Sequence, residues 1–181
     1  LVYAKTGKIV LISENSSVAM RGGLVFALAA DDYKQVVSVP EDVEILMREV
    51  QDDYDNFDTT GKIVSFLRTK IVEAPLTVIK LFGIKAVRSW YATDRQSYEN
   101  YILVLQIPYL LLMLFGSFLA WKRKEHSRRL AVAIWLLTLC NWGMTMMVTS
   151  TLRYMVPVIG LQFILSAQIP YFFMSKRNSN I

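Results

Sequence analysis

Three cations stand where apolar sequence meets polar sequence. Arg153 separates two charge-free runs, and Lys85 and Arg88, three residues apart, shortly precede another. Such junctions lie at the depth of lipid headgroups, where a guanidinium grips a phosphate through two hydrogen bonds and an ammonium neutralises it. This is chemistry for holding a lipid phosphate, or for steadying one as it departs from a reacting centre. The plain alternative is an interfacial anchor, with the long side chains snorkelling to the headgroups. Other chemistries lack the residues. Cys140 and His126 are the only residues of their types, so no disulfide can form within the chain and no Cys/His zinc site is available. A Ser-His-Asp triad would need His126, which lies in a basic run. The acidic stretch Asp52, Asp53, Asp55 and Asp58 opens like a calcium loop, but Phe57 takes the sixth position from Asp52 and Ile63 the twelfth. A calcium loop needs Gly and Glu there, so the stretch reads as a solvated loop. Asn15-Ser16-Ser17 matches a glycosylation sequon, a short pattern that arises often by chance.

The elements that must position these cations follow from the charge distribution. The chain has 181 residues, 54% hydrophobic and 19% charged, which excludes disorder and a disulfide-rich secreted module. Residues 1–100 carry 12 Lys+Arg and 14 Asp+Glu, whereas residues 101–181 carry 8 and 1. A pI near 9.3 would ordinarily suggest nucleic acid, but the positive excess lies between long apolar runs and implies no nucleic-acid partner. Charge-free windows cover 101–121, 130–152 and 154–175. Each has the ~20 residues that a helix needs to cross a hydrocarbon core of ~30 Å. The expected fold is a mainly α membrane protein: an extracytoplasmic α region with one short β segment, residues 1–100, then three transmembrane helices and a cytoplasmic tail, 176–181. Lys122, Arg123, Lys124, Arg128 and Arg129 separate the first two windows, and Lys176 and Arg177 follow the third. The positive-inside rule places both groups in the cytoplasm and Arg153 outside, against a smaller counter-bias from Lys85, Arg88 and Arg95. Gln106, Asn141, Gln162 and Gln168 are uncharged polar residues within the windows, suited to interhelical hydrogen bonds or to lining a substrate path. Pro108, Pro157 and Pro170 are expected to interrupt the helices.

In the first hundred residues, 8–13 is apolar and β-branched and predicts a strand. Asn15-Ser16-Ser17 predicts a turn, and Arg21-Gly22-Gly23 a bend. Ser38 and Glu41 have capping-box spacing ahead of Val43, Leu46, Met47 and Val50, which recur at helical period. Thr59 or Thr60 can cap a helix over 61–73, with Ile63, Phe66, Leu67 and Ile71 as its apolar face and Pro75 as its stop. Residues 76–90 predict a further amphipathic helix along the outer membrane interface, apolar through Leu76, Ile79, Gly83, Ala86 and Trp90. Lys80, Lys85 and Arg88 share its polar side, placed for lipid phosphates.

The order of these segments resembles a known family. Leu11-Ile12-Ser13-Glu14-Asn15, a helix from Phe66 to Pro75, Leu81 through Lys85 and Arg88 to Trp90, and Arg153-Tyr154 with Pro157-Val158 occur in sequence. This pattern is similar to the C-terminal region of polytopic GT-C glycosyltransferases of family 39: the dolichyl-phosphate-mannose protein mannosyltransferases and the bacterial aminoarabinose transferases. The likeness covers roughly residues 8–175, and the family's Gly-rich turn after the strand is replaced by Asn15-Ser16-Ser17. The resemblance implies transfer of a sugar from a polyprenyl-phosphate donor to an acceptor on the extracytoplasmic face, with sugar and acceptor left open. It implies that the catalytic acid lies in an earlier external loop, that this chain is a C-terminal fragment inactive alone, and that Arg153, with Lys85 and Arg88, contacts the donor phosphate. No cofactor or metal site is legible here, although the family's other loops could supply a divalent metal. The expected location is a membrane, the bacterial inner membrane before the endoplasmic reticulum. Two other readings fit the same spans: a non-enzymatic sensor or interaction module, and a transporter segment. The latter lacks the charged residue within a span that a pump normally needs.

Overall fold

The computed structural model describes residues 16–28, 37–93, 98–122 and 125–170. These are mostly helical: α1 Ser16–Leu24, α2 Glu41–Asp52, α3 Thr60–Glu73, α4 Pro75–Arg88, α5 Glu99–Trp121, α6 Glu125–Met147 and α7 Val156–Ser166. Short 3-10 turns occupy Tyr54–Asn56 and Leu152–Tyr154. No strand occurs among the described residues; the predicted strand 8–13 and the tail 176–181 lie outside them, as do Asn15 of the sequon, Arg95, Arg123, Lys124, and Lys176 and Arg177. The described residues divide into two compact units, one drawn from Leu1–Ile84 and Met147–Thr149, the other from Lys85–Met146 and Ser150–Ile181.

The first unit is built on the period-3.6 pattern. Val43, Leu46, Met47 and Val50 of α2 are all buried, together with Met20 and Leu24 of α1 and Ile63 and Leu67 of α3. Phe57 meets Phe66 edge to face, with ring centroids 5.1 Å apart. Several local expectations change. Ser38 does not cap α2: the helix starts behind Pro40, whose carbonyl accepts from the amides of Val43 and Glu44 at 3.0 Å. Proline's fixed φ suits a helix entry, so the box spacing is not used. Arg21-Gly22-Gly23 forms no bend but continues α1, and the missing Cβ of Gly23 leaves room for the carbonyl of Val148. Pro75 ends α3 and also opens α4 as its first residue, where its missing N–H costs no helical bond.

On α4, the stripe Val78, Leu81, Lys85 and Arg88 is buried. The opposite stripe, Leu76, Ile79 and Val87, is 62–71% exposed, in keeping with an outward apolar face. Lys85 and Arg88 therefore do not share an open polar side with Lys80. Lys80 alone of the three is exposed, paired with Asp42 at 2.8 Å.

In the second unit, α5 and a stretch of α6, Ser127–Met147, are long and apolar enough to cross a membrane. Only 17% and 22% of their apolar windows are buried within the protein. A soluble protein would hide such helices in its core; here Val104, Leu105, Leu111, Leu112 and Phe118 are all more than half exposed. The second predicted window is displaced. The helix begins at Glu125, five residues before the charge-free run, and its first turn is closed by an ion pair from Arg129 to Glu125 at 2.6 Å. It stops at Met147, before the β-branched and hydroxyl-rich Val148-Thr149-Ser150-Thr151, whose last residue is extended. Of the third window, Val156–Ser166 forms a shorter apolar helix, α7, and residues 171–175 lie outside the described residues. Pro157 stands in its first turn rather than interrupting it, while Pro108 does sit inside α5.

Small and polar residues join these helices. Gly116 lets α5 approach α7 so closely that a Cβ there would fall on the carbonyl oxygen of Leu165 and 2.6 Å from its carbon. Gln162, fully buried on α7, accepts from the Tyr109 hydroxyl at 3.0 Å and donates to Thr138 Oγ1 at 3.2 Å, tying α5, α7 and α6 together. Gln106 donates to the carbonyl of Trp90, and Asn141 to that of Tyr154. Gln162, Gln106 and Asn141 thus bond across elements, as the first of their two readings expects.

Candidate functional site

Arg153, Lys85 and Arg88 all belong to the second unit. Arg153 lies on the 3-10 turn Leu152–Tyr154, between the extended end of α6 and the start of α7. The turn is pinned by the amide of Leu152, which donates to the carbonyl of Ala92 at 2.9 Å. A cleft of about 330 Å³ opens at this junction, lined by Ala92, Thr93, Thr151, Leu152, Arg153 and Val156. Among the described residues, Arg153 is its only charged lining residue. The guanidinium is exposed, lies 4.8 Å from the Tyr154 ring and donates to its hydroxyl at 2.8 Å. Stacking of this kind orients the planar fork.

Arg88 is 6% exposed. Its fork closes on Glu99, with Nη2 donating to Oε1 at 2.9 Å and Nη1 to Oε2 at 3.2 Å. Glu99 opens α5, where the positive end of the helix dipole favours a carboxylate. The same Oε1 accepts from the backbone amide of Thr93 at 3.0 Å. Arg88 thereby holds Glu99, and Glu99 holds the Ala92-Thr93 wall of the cleft. Lys85, one turn before Arg88, is fully buried, and burial pushes its ammonium down to about 7. The structure thus brings Arg88 to the cleft wall through Glu99, leaves Arg153 on the rim, and encloses Lys85.

Two features of the site were not anticipated from sequence. Thr151 is 7% exposed and lines the cleft, and its hydroxyl has no hydrogen-bond partner among the described residues. An orphaned buried hydroxyl is a costly thing to keep. Nothing marks Thr151 apart from the other residues of the Thr-Ser-Thr run that contains it. The second is Trp142, whose indole donates to Ser89 Oγ at 2.8 Å and to the carbonyl of Ala86 at 3.1 Å, and which meets Trp90 edge to face. It ties α6 to the end of α4 that carries Lys85 and Arg88. Among the described residues no group of three or more His, Cys, Asp or Glu could hold a metal ion.

Comparison with known protein families, with curated proteins and with solved structures returns no match.

Proposed function

We propose that this chain is the C-terminal part of an integral-membrane glycosyltransferase and that it holds the phosphate of a polyprenyl-phosphate-linked sugar at the extracytoplasmic surface. In that reaction the acceptor oxygen bonds to the anomeric carbon as the bond from that carbon to the phosphate oxygen breaks. The acceptor's proton passes to a base, and negative charge grows on the departing lipid phosphate. The chain's own contribution is to receive that charge. The observation that carries the reading is the cleft with Arg153 on its rim and the unpartnered Thr151 hydroxyl in its wall, at the end of an apolar helix. A fixed guanidinium and a hydroxyl are donors suited to phosphate oxygens. The exposed apolar surface of α5 and α6 supports a bilayer setting, which is where a polyprenyl chain resides.

Lys85 and Arg88 enter as support for the cleft rather than as phosphate contacts: Arg88 is engaged by Glu99, and Lys85 is enclosed. The test is binding of a polyprenyl phosphate to the chain reconstituted in lipid nanodiscs. Losing a charge-assisted hydrogen bond removes about 1.5–3 kcal/mol, so Arg153→Ala is expected to weaken binding by about 10- to 100-fold. Arg153→Lys keeps the charge but not the fork and is expected to fall in between. Arg68→Ala, exposed on α3, serves as the control. Unchanged affinity in both Arg153 variants would overturn the proposal.

A further inference from the structure

A second cavity, of about 320 Å³, lies between α5 and α6 within the second unit, near the end where the two helices connect. Trp121, Ala131, Trp135, Leu136 and Leu139 form its apolar lining, with Ser117. Its polar atoms are engaged inside the protein: the Trp135 indole donates to Ser117 Oγ at 3.1 Å, and that hydroxyl donates to the carbonyl of Met113 at 2.7 Å. Among the described residues its lining offers a ligand no unengaged polar group, which suits hydrocarbon. The volume falls in the range of built small-molecule sites, about 300–1,000 Å³. The charge at its end says more. Trp121 is followed directly by Lys122, which is exposed and lies 4.5 Å from the Phe118 ring. Ala131 is preceded by Arg128 and Arg129, exposed on the first turns of α6, with Glu125 engaging Arg129. An apolar groove that ends in exposed cations matches a molecule with a hydrocarbon tail and an anionic head.

We infer that this groove seats an acyl chain of an anionic phospholipid, with the phosphate at Lys122 and Arg128. The inference rests on the reading that α5 and α6 cross a bilayer. It concerns the end of these helices that the positive-inside rule places in the cytoplasm, where anionic lipids concentrate, and not the Arg153 cleft. Each cation near the surface enriches an anionic lipid about fivefold, so the pair gives a preference of up to the order of thirtyfold.

The test is quenching of tryptophan fluorescence by lipids with brominated tails. The chain is reconstituted in phosphatidylcholine with a small, equal fraction of brominated phosphatidylglycerol or brominated phosphatidylcholine. The expected result is severalfold stronger quenching by the anionic lipid. That excess should be lost in Lys122→Gln/Arg128→Gln, and should shrink in Trp135→Phe and in Leu139→Phe, which narrows the groove from an exposed position. Circular dichroism on each variant confirms that the helices persist. Equal quenching by the two lipids, or an excess untouched by both the charge and the groove variants, overturns the site while leaving the membrane crossing intact. No quenching by either lipid overturns the crossing itself.

Discussion

Thr151 and Lys85 each carry a stability cost that the fold retains, and they lead to different expectations. The Thr151 hydroxyl is buried without a partner among the described residues, so replacing Thr151 with Val should raise stability by about 1 kcal/mol. If the hydroxyl exists to meet a lipid phosphate, the same change should weaken polyprenyl-phosphate binding severalfold. Unfolding in mixed detergent micelles, paired with the nanodisc binding assay, separates the two effects; a variant that loses stability and keeps its binding refutes this role for Thr151. Lys85 gives a pH dependence. Its ammonium loses a proton near pH 7 in the folded protein but near 10.5 in the unfolded chain. Between those values the unfolded chain binds the extra proton, so folding stability rises with pH across that window. Below about 7 both states hold the proton, and the contribution is flat. Lys85→Met should abolish the rise between pH 7 and 9.5 and increase stability at neutral pH, as read from unfolding midpoints at several pH values. A rise of equal slope in the variant would assign it to another group.

The helices of the second unit depend on one close approach. Gly116 is the point where α5 meets the backbone of α7. Gly116→Ala must push the carbonyl of Leu165 away, whereas Gly143→Ala on α6 meets open space. Overpacking at such a contact costs about 1–3 kcal/mol. Gly116→Ala should therefore lower the unfolding midpoint in micelles while Gly143→Ala leaves it nearly unchanged or raises it, since alanine is the better helix former. Equal effects would show that the α5–α7 contact does not govern stability. Nothing in the sequence distinguishes these two glycines, because both lie in apolar runs and only the partner helix tells them apart. The same logic marks what sequence could and could not reveal elsewhere. The α2 stripe was legible because one unbroken face of a single helix is buried. The apolar lengths of α5 and α6 were legible because the length of a charge-free run depends on composition alone. The burial of Lys85 and Arg88 was not legible. Their three-residue spacing put this pair on one stripe, but charge grouped them with Lys80 and suggested that the stripe faced outward; the carboxylate of Glu99, eleven residues on from Arg88, accounts for a buried guanidinium. Arg153 was placed at a helix junction by the break between two charge-free runs; the cleft beside it needs the distant Ala92-Thr93 segment and was beyond reach.

Sidedness decides whether the Arg153 cleft can meet a donor on the extracytoplasmic face at all, and charge is what sets it. Lys122, Arg128 and Arg129 bracket the α5–α6 connection, while Arg153 follows α6 at its other end. The difference in basic residues predicts that the connection stays in the cytoplasm and that the first hundred residues are exported. The lone cysteine makes this easy to read. Cys140 lies on the exposed surface of α6, in the stretch apolar enough to cross a membrane. A charged, membrane-impermeant maleimide should leave it unlabelled in intact membranes, since hydrocarbon excludes the reagent. In a Cys140→Ala background, cysteine placed at Lys62, an exposed residue of α3, should label from outside intact cells or spheroplasts. Cysteine placed at Glu125, exposed at the start of α6, should label only after the membrane is opened. The reverse pattern would turn the protein over, put the Arg153 cleft on the cytoplasmic face and remove it from any extracytoplasmic donor. Labelling of both positions from outside, with Cys140 reactive in the intact membrane, would mean that α5 and α6 do not cross, and their bare apolar surfaces would then require a protein partner in place of lipid.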